Sequence, residues 1–250
     1  MKLKSIIIFL WYILFSACTN SGEEKDTCTI FIAGDSTAQT YKEEKHGLIK
    51  GWGQMLSLYL DESVIIDNRA IGGRSTKTFI EEGRWDKLIN DVSPGDYVMI
   101  QFGHNDTSTR PERHASPKLY EENIKKFIND VISKEATPIL LTSIVMRTFK
   151  EGNLVDDRLK SYPAIVRKIA KELNVSLIDI NTISRDFILL LGDEKSKEYY
   201  RWIEPGIDPF KPDGFKDDTH MMEKGAMQVA FFIAEELSKL NLPISKHVKQ

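Results

Sequence analysis

Five short apolar runs, separated by segments of helical periodicity, constrain this chain more tightly than any other feature of its sequence. Cys28 to Ala33 (CTIFIA), Val64 to Ile71, Asp96 to Phe102 (DYVMIQF), Pro138 to Val145 and Val175 to Ile180 read as strands. The third follows the turn Ser93-Pro94-Gly95 and is richly apolar, as a strand covered on both faces should be. Helices are expected over Trp52 to Leu60, where Met55, Leu56, Tyr59 and Leu60 share a side, and over Leu159 to Leu173. Another starts at Pro117, with Ser116 as its N-cap and a stripe of Tyr120, Ile124, Phe127, Ile128 and Val131. Two more follow, Ile183 to Leu191 and Gly225 to Leu240, the last apolar nearly all round. Strands that alternate with helices pair in parallel, because each crossover returns the chain to the edge where the next strand begins. The expected fold is therefore α/β: a three-layer α/β/α sandwich with a mostly parallel five-stranded sheet. The chain has 250 residues, is 41% hydrophobic and carries no repeat and no long Gly/Ser or Pro tract, so residues 28–250 are expected to form one domain with a full core.

A parallel sheet opens the loops that follow its strands on one edge, where open α/β folds take their ligands. Gly34-Asp35-Ser36 follows the first strand and delivers Ser36 to that edge. A serine hydroxyl is a poor nucleophile at neutral pH; it requires a base within hydrogen-bond reach and a third group to orient the base. Of the five histidines, His46, His104, His114, His220 and His247, only His220 has an orienter at short range, in Asp217-Asp218-Thr219-His220. A three-residue separation is expected to put Asp217 and His220 on one side of a helical turn, the carboxylate holding Nδ1 and leaving Nε2 for the serine, with Asp218 facing elsewhere. Acyl transfer also needs donors aimed at the developing oxyanion. Gly72-Gly73-Arg74-Ser75 after the second strand offers a backbone N–H, and Gly103-His104-Asn105-Asp106 after the third offers the Asn105 amide. Singly, each of these is an ordinary turn or a polar helix start. Their common location on one sheet edge favours the catalytic reading.

In order and spacing, GDST (Gly34 to Thr37), GWG (Gly51 to Gly53), NRAIGGRS (Asn68 to Ser75), GHND (Gly103 to Asp106) and DDTH (Asp217 to His220) resemble the blocks of the GDSL, or SGNH, hydrolases, and among them the rhamnogalacturonan acetylesterases of carbohydrate esterase family 12. The resemblance spans about Thr29 to Ala226. It implies a flavodoxin-like SGNH hydrolase fold and a serine esterase that removes O-acetyl groups from a plant cell-wall polysaccharide, rhamnogalacturonan foremost, through an acetyl-serine intermediate. Carried over by position, it makes Ser36 the nucleophile, His220 the base and Asp217 its orienter, and builds the oxyanion hole from the N–H groups of Ser36 and Gly73 and the Asn105 amide. No metal and no cofactor is implied. His104 and Arg74 fall within the blocks but outside the catalytic set. The same blocks recur in lysophospholipases and thioesterases, which are the alternative within enzymes. A catalytically inactive sugar-binding surface lipoprotein is the alternative outside them, and the filled catalytic and oxyanion positions argue against it.

Lys2 and Lys4 ahead of the apolar run Ile6 to Phe15 read as a signal peptide over residues 1–17, since the run is short for a membrane span. Ser16-Ala17-Cys18 resembles a bacterial lipobox, which implies cleavage before Cys18, acylation of Cys18 and a lipidated tether over 18–27. The expected location is the bacterial cell envelope, periplasm or outer membrane, with membrane contact only through the lipid anchor; plain secretion after cleavage at Ala17 is the alternative. Cys28, the only other cysteine, reads as a small apolar residue opening the first strand, so no disulfide framework is available. Lys and Arg total 34 against 37 Asp and Glu, a formal net charge of -3, and no basic field recommends nucleic acid. The expected partner is an acetylated polysaccharide or oligosaccharide, and the sequence specifies no oligomeric state. Gly192 to Lys216 is expected as a long loop without periodicity, whose Tyr199, Tyr200, Trp202 and Phe210 either stack on sugar rings or pack the loop onto the body.

Overall fold

The computed structural model describes residues 27–155, 158–159 and 161–249. The signal peptide, Cys18 and all but the last residue of the tether lie outside the described residues. Each of the five apolar runs overlaps a strand: β1 (Cys28–Gly34), β2 (Val64–Asn68), β3 (Tyr97–Gln101), β4 (Thr137–Leu141) and, after a short hairpin of β5 (Phe149–Lys150) and β6 (Asn153–Leu154), β7 (Ser176–Ile178). They form one sheet in the order β2-β1-β3-β4-β7, every pair parallel. The register sets Ile32 beside Asn68 on one flank and Met99 on the other, and Gly34 beside Gln101. The strand order reverses direction between β1 and β3, and at such a switch point the loops diverge to leave a crevice at the carboxyl edge.

Alternation along the strands divides the core in two. Ile30, Ile32, Met99, Ile139 and Leu141 face one side, packed with Trp52, Leu56 and the buried face of the C-terminal helix (Val229, Ile233, Leu237). Phe31, Ala33, Val98, Ile100 and Leu140 face the other, against Trp85, Leu88, Tyr120, Phe127, Val166 and Ile169. The helices are α1 (Glu43–His46), α2 (Thr76–Glu81), α3 (Arg84–Asp91), α4 (Pro117–Ser133), α5 (Tyr162–Leu173), α6 (Ile180–Ser196) and α7 (Glu223–Lys239). α4 follows its sequence closely: Ser116 Oγ accepts the Leu119 N–H at 3.2 Å, Pro117 opens the first turn, and the whole expected stripe is buried. A side-chain cap of that kind contributes about 1 kcal/mol.

Trp52 to Leu60 is not the expected helix but two 3-10 turns, Trp52–Gln54 and Leu56–Tyr59. Tertiary contact overrides periodicity there: Trp52 is fully buried and donates its Nε1–H to Gln101 Oε1 at 2.8 Å, while Gly51 and Gly53 lie so close to the Ala38–Gln39 backbone that a Cβ would come within 2.3 and 2.5 Å of carbonyl oxygens. The segment between β2 and β3, for which the sequence suggested no helix, holds two. α2 starts at a reciprocal cap in which Ser75 Oγ accepts the Thr78 N–H (3.2 Å) and Thr78 Oγ1 accepts the Ser75 N–H (2.9 Å). Gly192 to Lys216 is more ordered than expected. α6 runs on past a break at Gly192 (φ 73°, ψ 177°), a 3-10 turn covers Lys197–Tyr199, and an antiparallel hairpin pairs β8 (Arg201–Ile203) with β9 (Phe215–Asp217).

Candidate active site

The chain turns sharply after β1 because Asp35 replaces the lost strand bonds. Its Oδ1 accepts the Thr37 N–H at 2.9 Å and lies 2.8 Å from the Thr37 hydroxyl, while its carbonyl accepts the Ala38 and Gln39 N–H groups, each at 3.2 Å. Ser36 is thereby raised on the crest of the turn, and its carbonyl accepts the Tyr41 hydroxyl at 2.9 Å. Burial pushes the Tyr41 phenol upward, so it remains a donor at neutral pH. Asp35 itself is fully buried with Oδ2 3.3 Å from His104 Nδ1; the other ring nitrogen of His104 lies 3.0 Å from the Ile144 carbonyl. Burial alone would raise the Asp35 carboxyl, but the charge and hydrogen bond of His104 together with the Thr37 donors outweigh it and hold it below the ordinary carboxylate value. Asp35 and His104 thus support the turn from beneath rather than serving Ser36 directly.

Ser36 Oγ lies 2.8 Å from His220 Nε2, and His220 Nδ1 lies 2.7 Å from Asp217 Oδ2. The expected helical turn between Asp217 and His220 is absent. Asp217 ends β9, and its Oδ1 accepts the backbone N–H of Thr219 (2.8 Å) and of His220 (3.0 Å), folding the chain into a tight bend before α7 begins at Glu223. A carboxylate that captures the N–H groups two and three residues on competes with helix formation and still points its second oxygen at the imidazole. Burial opposes ionisation of Asp217, but the His220 hydrogen bond and charge and the two backbone donors prevail and hold its carboxyl at about 2. Asp218 faces away, its Oδ1 accepting Trp202 Nε1–H at 2.8 Å and Arg147 Nη1 at 2.5 Å.

The loop after β2 comes up against Ser36, and the loop after β3 is tied to it through Asn105. A Cβ on Gly72 would come within 3.4 Å of Ser36 Cβ, and the Gly72 N–H is engaged by Gln39 Oε1. Gly73 has φ +80°, a conformation that side chains resist. Asn105 Nδ2 donates one proton to the Arg74 carbonyl at 3.0 Å, and an amide nitrogen carries two, so one is left over. Among the described residues neither the Ser36 nor the Gly73 backbone N–H has a protein acceptor. Three donors are therefore unspent in the loops that follow β1, β2 and β3, and donors of this kind are what acyl transfer needs for a developing oxyanion. Arg74 serves the loop itself, bonding the Gly72 carbonyl (2.9 Å) and Glu82 (3.1 Å).

Several supports had no local signal. Asp106 Oδ1 accepts the Thr76 N–H (2.9 Å) and hydroxyl (2.6 Å), tying the start of α2 to the Asn105 loop, while its buried Oδ2 lacks a partner among the described residues and burial raises the carboxyl to about 7. Gln101 Oε1 meets both Trp52 Nε1 and the Thr37 hydroxyl. Arg113 places Nη1 3.5 Å from Asn105 Oδ1. These pairs join segments dozens of residues apart or sit on an irregular loop, where spacing carries no information. Of the aromatics in the Gly192 to Lys216 stretch, Tyr200 is buried, Tyr199 packs edge-on against Phe187, Trp202 lies under Arg147 and Lys197, and Phe210 remains 47% exposed. Among the described residues no group of three or more His, Cys, Asp or Glu is positioned to hold a metal ion.

Residues 32–227 match the model of the GDSL-like lipase/acylhydrolase family. The chain is 36% identical over 224 residues to the rhamnogalacturonan acetylesterase RhgT of Bacillus subtilis (strain 168), covering 90% of this chain and 95% of that one. It is also 36% identical over 221 residues to a probable rhamnogalacturonan acetylesterase of the same organism, YesY, covering 88% of this chain and 96% of that protein. Among solved structures, that of YxiM from Bacillus subtilis superposes with a TM-score of 0.73 at 28% identity, over 87% of this chain and 58% of the other.

Proposed function

Because this chain belongs to the GDSL-like lipase/acylhydrolase family, and is thereby a carboxylic ester hydrolase, we propose that it removes O-acetyl groups from a plant cell-wall polysaccharide, rhamnogalacturonan foremost, through an acetyl-serine intermediate. The observation that carries the chemistry is the unbroken run of contacts from Ser36 Oγ to His220 (2.8 Å) and from His220 to Asp217 (2.7 Å), with three unspent donors in the loops that follow β1, β2 and β3. The choice of substrate rests on relatives of matching length that are named rhamnogalacturonan acetylesterases.

In this reading Ser36 Oγ attacks the acetyl carbonyl carbon while His220 Nε2 accepts the hydroxyl proton. The carbonyl oxygen becomes an oxyanion held by the N–H groups of Ser36 and Gly73 and the free proton of Asn105 Nδ2. Collapse breaks the bond to the sugar oxygen, which leaves with the proton from His220. Water then attacks the acetyl-Ser36 carbonyl, giving a proton to His220, and collapse returns that proton to Ser36 and releases acetate. Asp217 remains ionised throughout and stabilises the imidazolium that forms twice per turnover. The same reading has the enzyme anchored in the bacterial cell envelope through an acylated Cys18, supported by the basic start, apolar run and Ser16-Ala17-Cys18 of the sequence. Cys18→Ser is expected to move the protein from the membrane fraction to the soluble one.

Acetate release measured in parallel on acetylated rhamnogalacturonan, acetylated homogalacturonan and acetylated xylan tests the substrate. A clear preference for the first is expected, whereas comparable rates on all three would overturn the pectin assignment. A chain-length series of p-nitrophenyl esters separates an acetylesterase from the lipase-like members of the family, and efficient cleavage of long acyl chains would count against it.

A further inference from the structure

Arg113 is a cation without an anion at the rim of the oxyanion site. Arg69, Arg74, Arg84, Arg147, Arg167 and Arg201 each reach a carboxylate within the salt-bridge distance. Among the described residues Arg110, Arg113, Arg158 and Arg185 do not, and of these Arg113 is the one set against the candidate oxyanion groups, its guanidinium having only the 3.5 Å contact to Asn105 Oδ1. It also overlies Gly73, where a Cβ would come 3.3 Å from Nη2 and 3.4 Å from Cζ. The charge is half-buried against two of the groups assigned to the oxyanion site.

The loop that carries it is held in place. His114 N–H and Arg113 N–H both donate to the Arg110 carbonyl at 3.0 Å, Lys77 Nζ donates to the Pro111 carbonyl at 3.2 Å, and Ala115 N–H returns to the Asp106 carbonyl at 3.2 Å. The Asp106 carbonyl also lies 3.0 Å from His114 Nδ1. A guanidinium presented from a fixed loop loses little further freedom when it binds, and its planar fork matches a carboxylate two bonds at a time. A neutral acetylated sugar offers nothing of that shape. A uronic acid does.

We propose that Arg113 is a specificity-determining residue that takes the carboxylate of a uronic acid ring while an acetyl carbonyl on the same or the adjacent ring occupies the oxyanion site. The proposal rests on the polysaccharide acetylesterase reading above and adds to it the reason an anionic polymer is preferred over a neutral one. The guanidinium also polarises and holds the Asn105 amide, 3.5 Å from its Oδ1, so a mere positioning role for Arg113 is the competing explanation, and the test separates the two.

The test uses acetylated rhamnogalacturonan oligosaccharides and their carboxyl-reduced counterparts, in which each carboxylate has become a primary alcohol. The wild-type enzyme is expected to favour the carboxylate form about tenfold in kcat/KM, chiefly through KM, as one charge-assisted pair at a half-exposed site provides. Raising the ionic strength should shrink that ratio. In Arg113→Gln the ratio should fall to about one, and Arg113→Lys should recover part of it. A wild-type ratio retained in Arg113→Gln would overturn the proposal, as would a wild-type enzyme indifferent to the carboxylate. Equal losses on both oligosaccharides in Arg113→Gln, with the ratio unchanged, would assign Arg113 to positioning Asn105 instead. If the wild-type enzyme hydrolysed p-nitrophenyl acetate but neither oligosaccharide, the polysaccharide reading itself would fall and this inference with it.

Discussion

Two adjacent carboxylates, Asp217 and Asp218, differ completely in what they hold, and replacing each by asparagine should separate orientation of the base from stability of the fold. In Asp217→Asn the amide oxygen can still accept the Thr219 and His220 N–H groups, now bonded at 2.8 and 3.0 Å to Oδ1. The amide nitrogen then takes the place of Oδ2, 2.7 Å from His220 Nδ1. Two donors cannot face each other, so the imidazole would shift its proton to Nε2 and point it at Ser36 Oγ. In that tautomer His220 cannot accept the serine proton, and kcat should fall on the order of 1,000-fold to 10,000-fold. The stability cost is much smaller. Asp217 is held at about 2 against an ordinary 3.8, and at roughly 1.36 kcal/mol per unit this caps its electrostatic contribution near 2 kcal/mol. The side chain keeps 16% of its surface in water, so about 1 kcal/mol is the working figure after screening. Because the folded value lies below the unfolded one, that contribution is present above about pH 4 and disappears as pH falls through about 2. Asp218→Asn removes a charge facing Arg147 and Trp202 Nε1, and should lower the melting temperature while leaving kcat within a few fold. Steady-state hydrolysis of p-nitrophenyl acetate and thermal melts on both variants decide the matter. An Asp217→Asn enzyme within tenfold of wild type, or a loss of kcat in Asp218→Asn that matches it, would refute the assignment of Asp217 as the orienter.

Asn105→Ala should lower kcat by about 100-fold to 1,000-fold with little change in KM, since the amide proton that is lost matters only once the oxyanion forms; single-turnover acylation rates measure it. Gly225→Ala should destabilise the fold by more than about 3 kcal/mol in a urea titration, because the new Cβ would come within 1.7 Å of the Tyr199 carbonyl at the start of α7. Asp106→Asn should flatten the pH dependence of stability between about pH 4 and pH 7. The buried Asp106 carboxyl is raised to about 7, so wild-type folding takes up a proton in that window and loses stability as pH rises through it, which melts of both proteins across the range would reveal.

How far the molecule was legible in its sequence depends on how local the relevant force is. The sheet was legible because each strand is a contiguous apolar run, and α4 because its cap, its Pro117 and its stripe lie within one segment. The site was legible for a related reason. Parallel pairing sends the ends of β1, β2 and β3 to one edge, so Ser36, Gly73 and Asn105 are all delivered to that edge whatever the details of their loops. Trp52 to Leu60 misled because its stripe is compatible with a helix, while a buried indole bonded to Gln101 forty-nine residues away and two glycines pressed on the Ala38–Gln39 backbone set the local geometry instead. The Asp217–His220 bend misled similarly: spacing alone does not distinguish a helical turn from a carboxylate capturing its own downstream N–H groups.

The remaining parts of the site depend on pairings that no spacing encodes, and they share a feature with functional weight. Asp106 with Thr76, Gln101 with Thr37 and Trp52, and His104 with Asp35 are buried polar contacts that each join one of the loops at the carboxyl edge to another element or loop. Buried polar groups are costly when unpaired, so each such pair penalises relative movement of the loops it joins. The turn that carries Ser36 and the loop that carries Asn105 are therefore fixed to each other through the interior. Arg113 is held on the same framework, and its charge is answered by no carboxylate among the described residues. Of the four arginines that no carboxylate answers among the described residues, Arg113 is the one set against Gly73 and Asn105, which is where a charge brought in by a substrate would meet it.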